Sequence, residues 1–423
     1  MKIFFSAGEP SGDLHGANLI RQLRRRRPDL EAVGYGGPEM AAAGCQLHAD
    51  LTALAVMWLL RVLLNLHKFL DLASRADRYF RHHKPDAVVL IDYPGFNWWI
   101  ARRAKAHGIP VFYYAPPQIW AWGSWRIKKM RALVDHVLCS LPFEARWFAA
   151  NGCRATFVGH PYFDEVRRQK LDAEFLQQQT DPARPLVTIL PGSRTQEIVH
   201  NLDHQLRTAK LIAAAVPQVR FALACFKPQQ AEMARQRIAA SGLAIDVFVR
   251  RTPELIRLAD CCLAVSGSVS LELLYQVKPT VIVYTISPLG FRLQSWFRRV
   301  RYITLVNLLA TDDIFFGASQ TAGAKTAADE PPLFPEFVTC TDKSAEMARQ
   351  IVAWLVHRDE RARLVARLDA LKGQVAHGGA SGRAATYILA ELDRRPKQAP
   401  RPHYQPSQQL PRSVVDASHR KAA

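Results

Sequence analysis

The feature that most constrains this chain occurs twice: a short apolar strand, a glycine turn and a helix. KIFFSAGEPSGDLHG opens the sequence, and LVTILPGSRTQEI restarts the same pattern at Leu186. Between the two openings, DAVVLIDY is a continuous apolar run behind Lys84-Pro85, as expected of a strand buried on both faces. FNWWIARRAKAHG reads as a helix with a glycine stop, followed by the strand PVFYYA; HVLCSL and ATFVG complete the first series. RFALACF, IDVFV, CCLAVSG and TVIVYT form the second. Strands that alternate with helices require a parallel sheet covered on both faces. The expected fold is therefore α/β, with two Rossmann-like doubly wound halves.

The length of 423 residues agrees, since one ordinary domain rarely grows so large. A polar passage, QKLDAEFLQQQTDPARP, separates the halves. The boundaries expected are a first domain over 1–178, a second over 184–376, a terminal helix over 377–395 and a disordered basic tail over 396–423. The formal charge of +19 fits nucleic acid, an anionic membrane or phosphorylated ligands, and equally a solvated basic face. Seven cysteines without any CxxC pattern read as free thiols in a reducing compartment. The opening apolar stretch stops at Gly8-Glu9, too short for a secretory signal. LTALAVMWLLRVLLNLHKFL, at 51–70, is broken by Arg61 and falls well short of the ~20 apolar residues that span a bilayer. It reads as a buried helix, or as one lying on a membrane surface or lining an apolar pocket.

A glycine turn between strand and helix attracts anions, because free amides and the helix dipole favour negative charge there. The first such loop carries Glu9 and Asp13, which would repel a phosphate. The second offers Gly192, Ser193 and Arg194, so amides, a hydroxyl and a guanidinium converge; a plain capping turn is the structural alternative. Further on, AVSGSVSLELL places a small-residue turn, Ser266-Gly267-Ser268, before a helix that carries Glu272. An acid at that edge of a nucleotide-binding sheet accepts ribose hydroxyls, although it could equally serve the helix dipole. Neither loop is GxGxxG, and no P-loop is present, which argues against a dinucleotide cofactor. Asp92, at the end of DAVVLID, is placed to act as a base or to cap the next helix. With no DxD and no histidine pair at ligand spacing, neither a metal nor any other cofactor is expected.

SAGEPSGDLHGA, VLIDYPGFN, PQIWAWGSWRIKKMR, VDHVLCSLPFE, GHPYFDEV, LPGSRTQEI and SGSVSLELL occur in this order. Together they closely resemble the lipid-A-disaccharide synthases, glycosyltransferases of the GT-B architecture in which two Rossmann-like domains face a cleft. The resemblance implies transfer of 2,3-diacylglucosamine from its UDP donor to 2,3-diacylglucosamine 1-phosphate. The product would be the β(1→6) disaccharide, formed with inversion and release of UDP. It implies a cytoplasmic protein without a metal, peripheral at the inner face of the inner membrane and partnered by that anionic surface rather than by nucleic acid. The first domain would hold the acceptor and the second the UDP-sugar. Asp92 is then the expected base, with Glu9 the other catalytic candidate, and Asp13 and Ser11 meet substrate. Gly192, Ser193 and Arg194 would bind the diphosphate, while Ser266, Gly267, Ser268 and Glu272 take the rest of UDP. Asn307, in LVNLLA, matches a cleft-facing asparagine of the family. Val56, Met57, Trp58, Leu59, Trp120 and Trp122 are the expected acyl or membrane contacts, beside Arg126, Lys128 and Lys129. RLQSWFRRVRY has the same basic-aromatic character.

Two departures stand out. Arg61 occupies the place of a family glutamate, which implies altered acyl fit. TDDIFFGASQTAGAKTAADEPPLFPEF reads as an insertion that displaces a Pro-Glu pair to Pro335-Glu336. The rival readings are a related transferase with another lipid or sugar acceptor, and a non-enzymatic basic module for nucleic acid or membranes. The latter would not need LPGSR, Glu272 and Asp92 together.

Overall fold

The computed structural model describes residues 1–55, 66–288, 292, 300–311, 314–315 and 331–395. Two parallel sheets organise them. The first contains β1 (Lys2–Ala7), β2 (Glu31–Gly36), β3 (Gln46–Asp50), β4 (Ala87–Ile91), β5 (Val111–Tyr114), β6 (His136–Cys139) and β7 (Ala155–Phe157). Its spatial order is β3-β2-β1-β4-β5-β6-β7. The second contains β8 (Leu186–Leu190), β9 (Arg220–Cys225), β10 (Asp246–Val249), β11 (Cys261–Val265), β12 (Thr280–Thr285) and β13 (Glu336–Thr339), in the order β10-β9-β8-β11-β12-β13. Every strand pair in both sheets is parallel.

Both faces of the first sheet are buried, and strand alternation divides its apolar residues between them. Phe4 joins the core on one face with Val88, Leu90 and Tyr113; Ile3, Phe5 and Ala7 join the other with Val89 and Phe112. This is why β1 and β4 read as unbroken apolar runs rather than alternating ones. The second domain has one core, in which Val187, Ile189, Leu263 and Ile282 pack with Met347, Ile351 and Trp354 of the helix Ser344–Val356.

The terminal helix Ala380–Asp393 does not rest on the domain that precedes it. Its Ala384, Ala385, Ile388, Leu389 and Leu392 cover the first sheet beside Ile3, Phe5 and Ile20. Arg27 pairs with Asp393 at 2.8 Å, and Arg154 with Glu391 at 2.7 Å. At the start of this helix, the amides of Gly379, Ala380 and Ser381 all donate to the carboxylate of Asp164, on the distant helix Pro161–Val166. The free amides of a helix start attract a carboxylate, so a residue of the first domain captures the returning chain.

Three elements escape the sequence pattern. β3 (QLHAD) and β13 (EFVT) are short edge strands with partial burial, so neither needs a long apolar run. The polar passage between domains contains the helix Ala173–Gln179, capped by Asp172, whose Phe175 packs edge-on against Phe248. Arg251 also holds it, pairing with Asp172 at 2.8 Å and lying over the Phe175 ring. The tail, most of RLQSWFRRVRY, and Val56, Met57, Trp58 and Leu59 lie outside the described residues.

Asp164→Ala strands three helix-terminal amides. It should lower stability by about 1–3 kcal/mol, read as a fall in the urea midpoint with an unchanged slope.

Candidate active site

In open parallel sheets a crevice forms where the strand order reverses, because the loops on either side run to opposite faces. Here β1 lies between β2 and β4, and β8 between β9 and β11. The loops that leave these strands are 8–9, 92–93, 191–194 and 266–268, the first two running straight into the helices Pro10–Arg26 and Pro94–Ala106. They contain most of the residues expected to carry chemistry. The two halves meet there: the Arg194 guanidinium lies 3.9 Å from the Glu9 carboxylate.

Asp92 follows directly on β4. Burial pushes its carboxyl up to about 6; the Glu9 charge adds to the rise, while the backbone N–H of Tyr93 and the Arg194 charge oppose it. Asp92 and Tyr93 both have φ of 45°, in the left-handed region that side chains rarely adopt. The Tyr93 ring packs over Gly8, where a Cβ would collide with it. Glu9 is partly exposed, and Ser11 is exposed in the first turn of the helix Pro10–Arg26.

In the loop after β8, Gly192 has φ of 114° and lies against Glu197, which leaves no room for a side chain. The amides of Ser193 and Arg194 donate to Oε2 of Glu197 at 2.9 and 3.1 Å. A carboxylate thus occupies the anion position of this loop, the chemistry expected of a phosphate site at a helix start. Gln230 fixes the loop from behind by donating to the Ser193 carbonyl. Ser266, Gly267 and Ser268 form a partly open turn before the helix Val269–Tyr275. Glu272 of that helix is buried, which raises its carboxyl to about 7. Tyr162, from the first domain, donates to its Oε2 at 3.0 Å, and Oε1 has no partner. A buried acceptor left unpaired is costly unless something donates to it.

Three expectations are corrected. Asp13 is only 2% exposed and its carboxylate accepts the amides of Gly37, Glu39 and Met40, so it caps the helix Pro38–Ala42 rather than meeting a substrate. Asn307 is equally buried: its amide donates to the Phe334 carbonyl and Glu336, and its carbonyl accepts from Phe334. It braces the helix Leu305–Leu309 against β13, where Glu336 also accepts the amides of Ile303 and Thr304. Trp120 is fully buried, donates to Glu144 at 3.0 Å and meets Phe143 edge-on, so it belongs to the core and not to a lipid surface. Trp122 and Trp125, by contrast, are 39% and 62% exposed, beside exposed Arg126, Lys128 and Lys129.

The sequence reading missed Tyr162 and Glu197. Glu197 is the third residue of the helix Thr195–Ala215, a capping position; Tyr162 carries no local signal, because its partner is 110 residues away. Among the described residues no group of three His, Cys, Asp or Glu is placed to hold a metal, and no helix is long and apolar enough to cross a membrane.

Two doubly wound domains with facing switch-point loops, one acidic and one suited to an anion, define the GT-B fold. Solved structures agree on the fold. The UDP-GlcNAc 2-epimerase of Neisseria meningitidis bound to UDP-GlcNAc superposes with a TM-score of 0.61 at 10% identity, covering 93% of this chain and 100% of that one. The glycotransferase of kitacinnamycin does so with a TM-score of 0.57 at 16% identity, over 92% and 99% of the two chains. The sequence comparison is more specific. The family model described as lipid-A-disaccharide synthetase matches residues 3–331. The lipid-A-disaccharide synthase of Geobacter metallireducens is 33% identical over 395 residues, 93% of this chain and 98% of that protein. The chain belongs to the lipid-A-disaccharide synthase family.

Asp13→Asn would turn amide hydrogens toward the amides the carboxylate now holds. It should destabilise the fold by about 1.5–3 kcal/mol in chemical denaturation, while UDP affinity of the folded protein stays at the wild-type value.

Proposed function

We propose that the chain transfers 2,3-diacylglucosamine from UDP to the 6-hydroxyl of 2,3-diacylglucosamine 1-phosphate, forming the β(1→6) disaccharide with inversion. The observation that carries the reading is the meeting of Asp92, Glu9 and Arg194 where both sheets reverse order. It supplies a base, a second acid and a cation at one point, on loops from opposite domains.

In this scheme Asp92 removes the proton of the attacking hydroxyl. A carboxyl at about 6 is ionised near neutral pH, yet more basic than an ordinary aspartate. On the far side of the sugar, the leaving diphosphate replaces the Glu197 carboxylate on the amides of Ser193 and Arg194. The Arg194 guanidinium neutralises the charge that develops there, a preorganised electrostatic role. Oε1 of Glu272 accepts a ribose hydroxyl, and the turn 266–268 lies close to the same nucleoside. Glu9 and Ser11 bind hydroxyls of the acceptor. Acidic side chains suit sugars in the first loop because the phosphate belongs to the second.

The lipid chains and the membrane call for apolar surface near basic charge. Leu66 and Leu70, one turn apart on the helix Leu66–His83, are 41% and 45% exposed. Exposed Trp122 and Trp125 lie among three cations, with the Arg126 guanidinium 5.8 Å from the Trp125 ring. These groups support a peripheral seat on an anionic inner membrane, apolar rings in the interface and cations toward the headgroups.

Transfer between the two diacylglucosamine substrates, with EDTA present, should yield disaccharide and UDP in equal amounts. kcat should rise with pH through about 6, as Asp92 loses its proton. Asp92→Asn should lower kcat by roughly 10²- to 10⁴-fold. Glu9→Gln removes a negative charge that raises the Asp92 carboxyl, so the acid limb should move to lower pH. UDP released without disaccharide would point to another acceptor. Folded protein that neither turns over nor binds UDP would overturn the reading.

A further inference from the structure

We infer that Asn97 and Tyr113 are positioning residues for the transfer: together they clamp the main-chain carbonyl of Asp92 and so set where its carboxylate stands. The inference rests on the reading of Asp92 as the base. Asn97 lies one turn into the helix Pro94–Ala106 and is fully buried. Its amide nitrogen donates to the carbonyls of Asp92 at 2.7 Å, Ile91 at 3.2 Å and Ser6 at 3.3 Å. Its carbonyl oxygen accepts the Ser6 hydroxyl at 2.7 Å. One side chain thus ties the ends of β1 and β4 together at the switch point. Tyr113, fully buried on the neighbouring β5, donates its hydroxyl to the same Asp92 carbonyl at 2.6 Å.

That carbonyl needs holding. Two consecutive non-glycine residues at φ of 45° are strained and persist only where the surroundings over-determine them. An ordinary strand end would let Asp92 relax to extended backbone and swing its side chain away. The clamp, with the Tyr93 ring seated over Gly8, holds the turned conformation instead. None of these bonds is made by a substrate-facing group, so the pair acts through Asp92. Sequence position alone could not reveal this. Asn97 reads as an interior helix residue and Tyr113 as one aromatic in an apolar strand.

Charged and titratable groups face Asp92 from each side: Glu9 from the first loop, Tyr93 beside it, Tyr113 from β5 and Arg194 from the second domain. Burial is the main reason its carboxyl is raised, so a loosened Asp92 gains water and titrates lower.

The experiment compares wild type, Asn97→Ala, Tyr113→Phe and Asp92→Asn for kcat, KM, the pH profile of kcat and thermal melting. Tyr113→Phe removes one hydroxyl and keeps the packing. It should lower kcat roughly tenfold with KM and UDP affinity unchanged, and Asn97→Ala roughly a hundredfold, since a misplacement of about 1 Å costs that much. In both, the acid limb should move below about 6, a change that loss of folded protein cannot produce. If Asn97→Ala does not fold, Tyr113→Phe decides. An inactive Asp92→Asn beside a Tyr113→Phe with wild-type kcat and an unmoved limb would overturn the clamp alone. Wild-type turnover by Asp92→Asn would overturn the base, and the clamp with it.

Discussion

The molecule depends on the reversal of strand order in each sheet. A parallel strand cannot return through a hairpin, so every connection crosses a face of the sheet. Where successive connections take opposite faces, the two loops at the carboxyl edge part and leave a crevice. β1 and β4 create that crevice in one domain, β8 and β11 in the other. Chemistry is drawn there because backbone amides at the following helix starts are unpaired and side chains can point into the space between. The two domains differ in what fills the crevice: carboxylates in one, small residues and an arginine in the other.

Polar side chains in this protein follow one physical rule. A buried polar atom must find a partner, and the nearest one decides its role. Asp13, Asp164 and Glu336 each accept several backbone donors and are used up in holding helices and strands together. Glu272 is buried and Asp92 partly so, and both carboxyls are raised, Asp92 to about 6 and Glu272 to about 7. Raised carboxyls with spare lone pairs are the ones available for reaction or recognition. The same residue types therefore differ in how many donors they hold, which their spacing in the chain does not reveal.

Assembly of the whole adds a constraint no single domain shows. The terminal helix crosses back to cover the first sheet, anchored by Asp164 at its start and Asp393 near its end. Tyr162 and Glu272 join the domains a few residues from that anchor. The chain thus brackets the cleft on one side with covalent crossings and hydrogen bonds, while Glu9 and Arg194 approach across it as exposed charges worth little in stability.

Much of the architecture was legible from KIFFSA, DAVVLIDY, LVTIL and CCLAVSG, because a strand buried on both faces must be apolar along its whole length. The two glycine turns were legible because only certain residues tolerate such geometry, as Gly192 does. The edge strands QLHAD and EFVT were not, since half-buried strands carry weak patterns. Nor were the true roles of Asp13, Asn307 and Trp120, which depend on partners brought close only by folding. The sequence by itself determined the layered α/β fold, the places of the four loops and the family. Only the tertiary structure decided which acids remain free, which are consumed as caps, and that Asn97 and Tyr113 meet at the carbonyl of Asp92. The reason is physical: periodicity and turn chemistry are local, whereas hydrogen-bond satisfaction is settled between residues far apart in sequence.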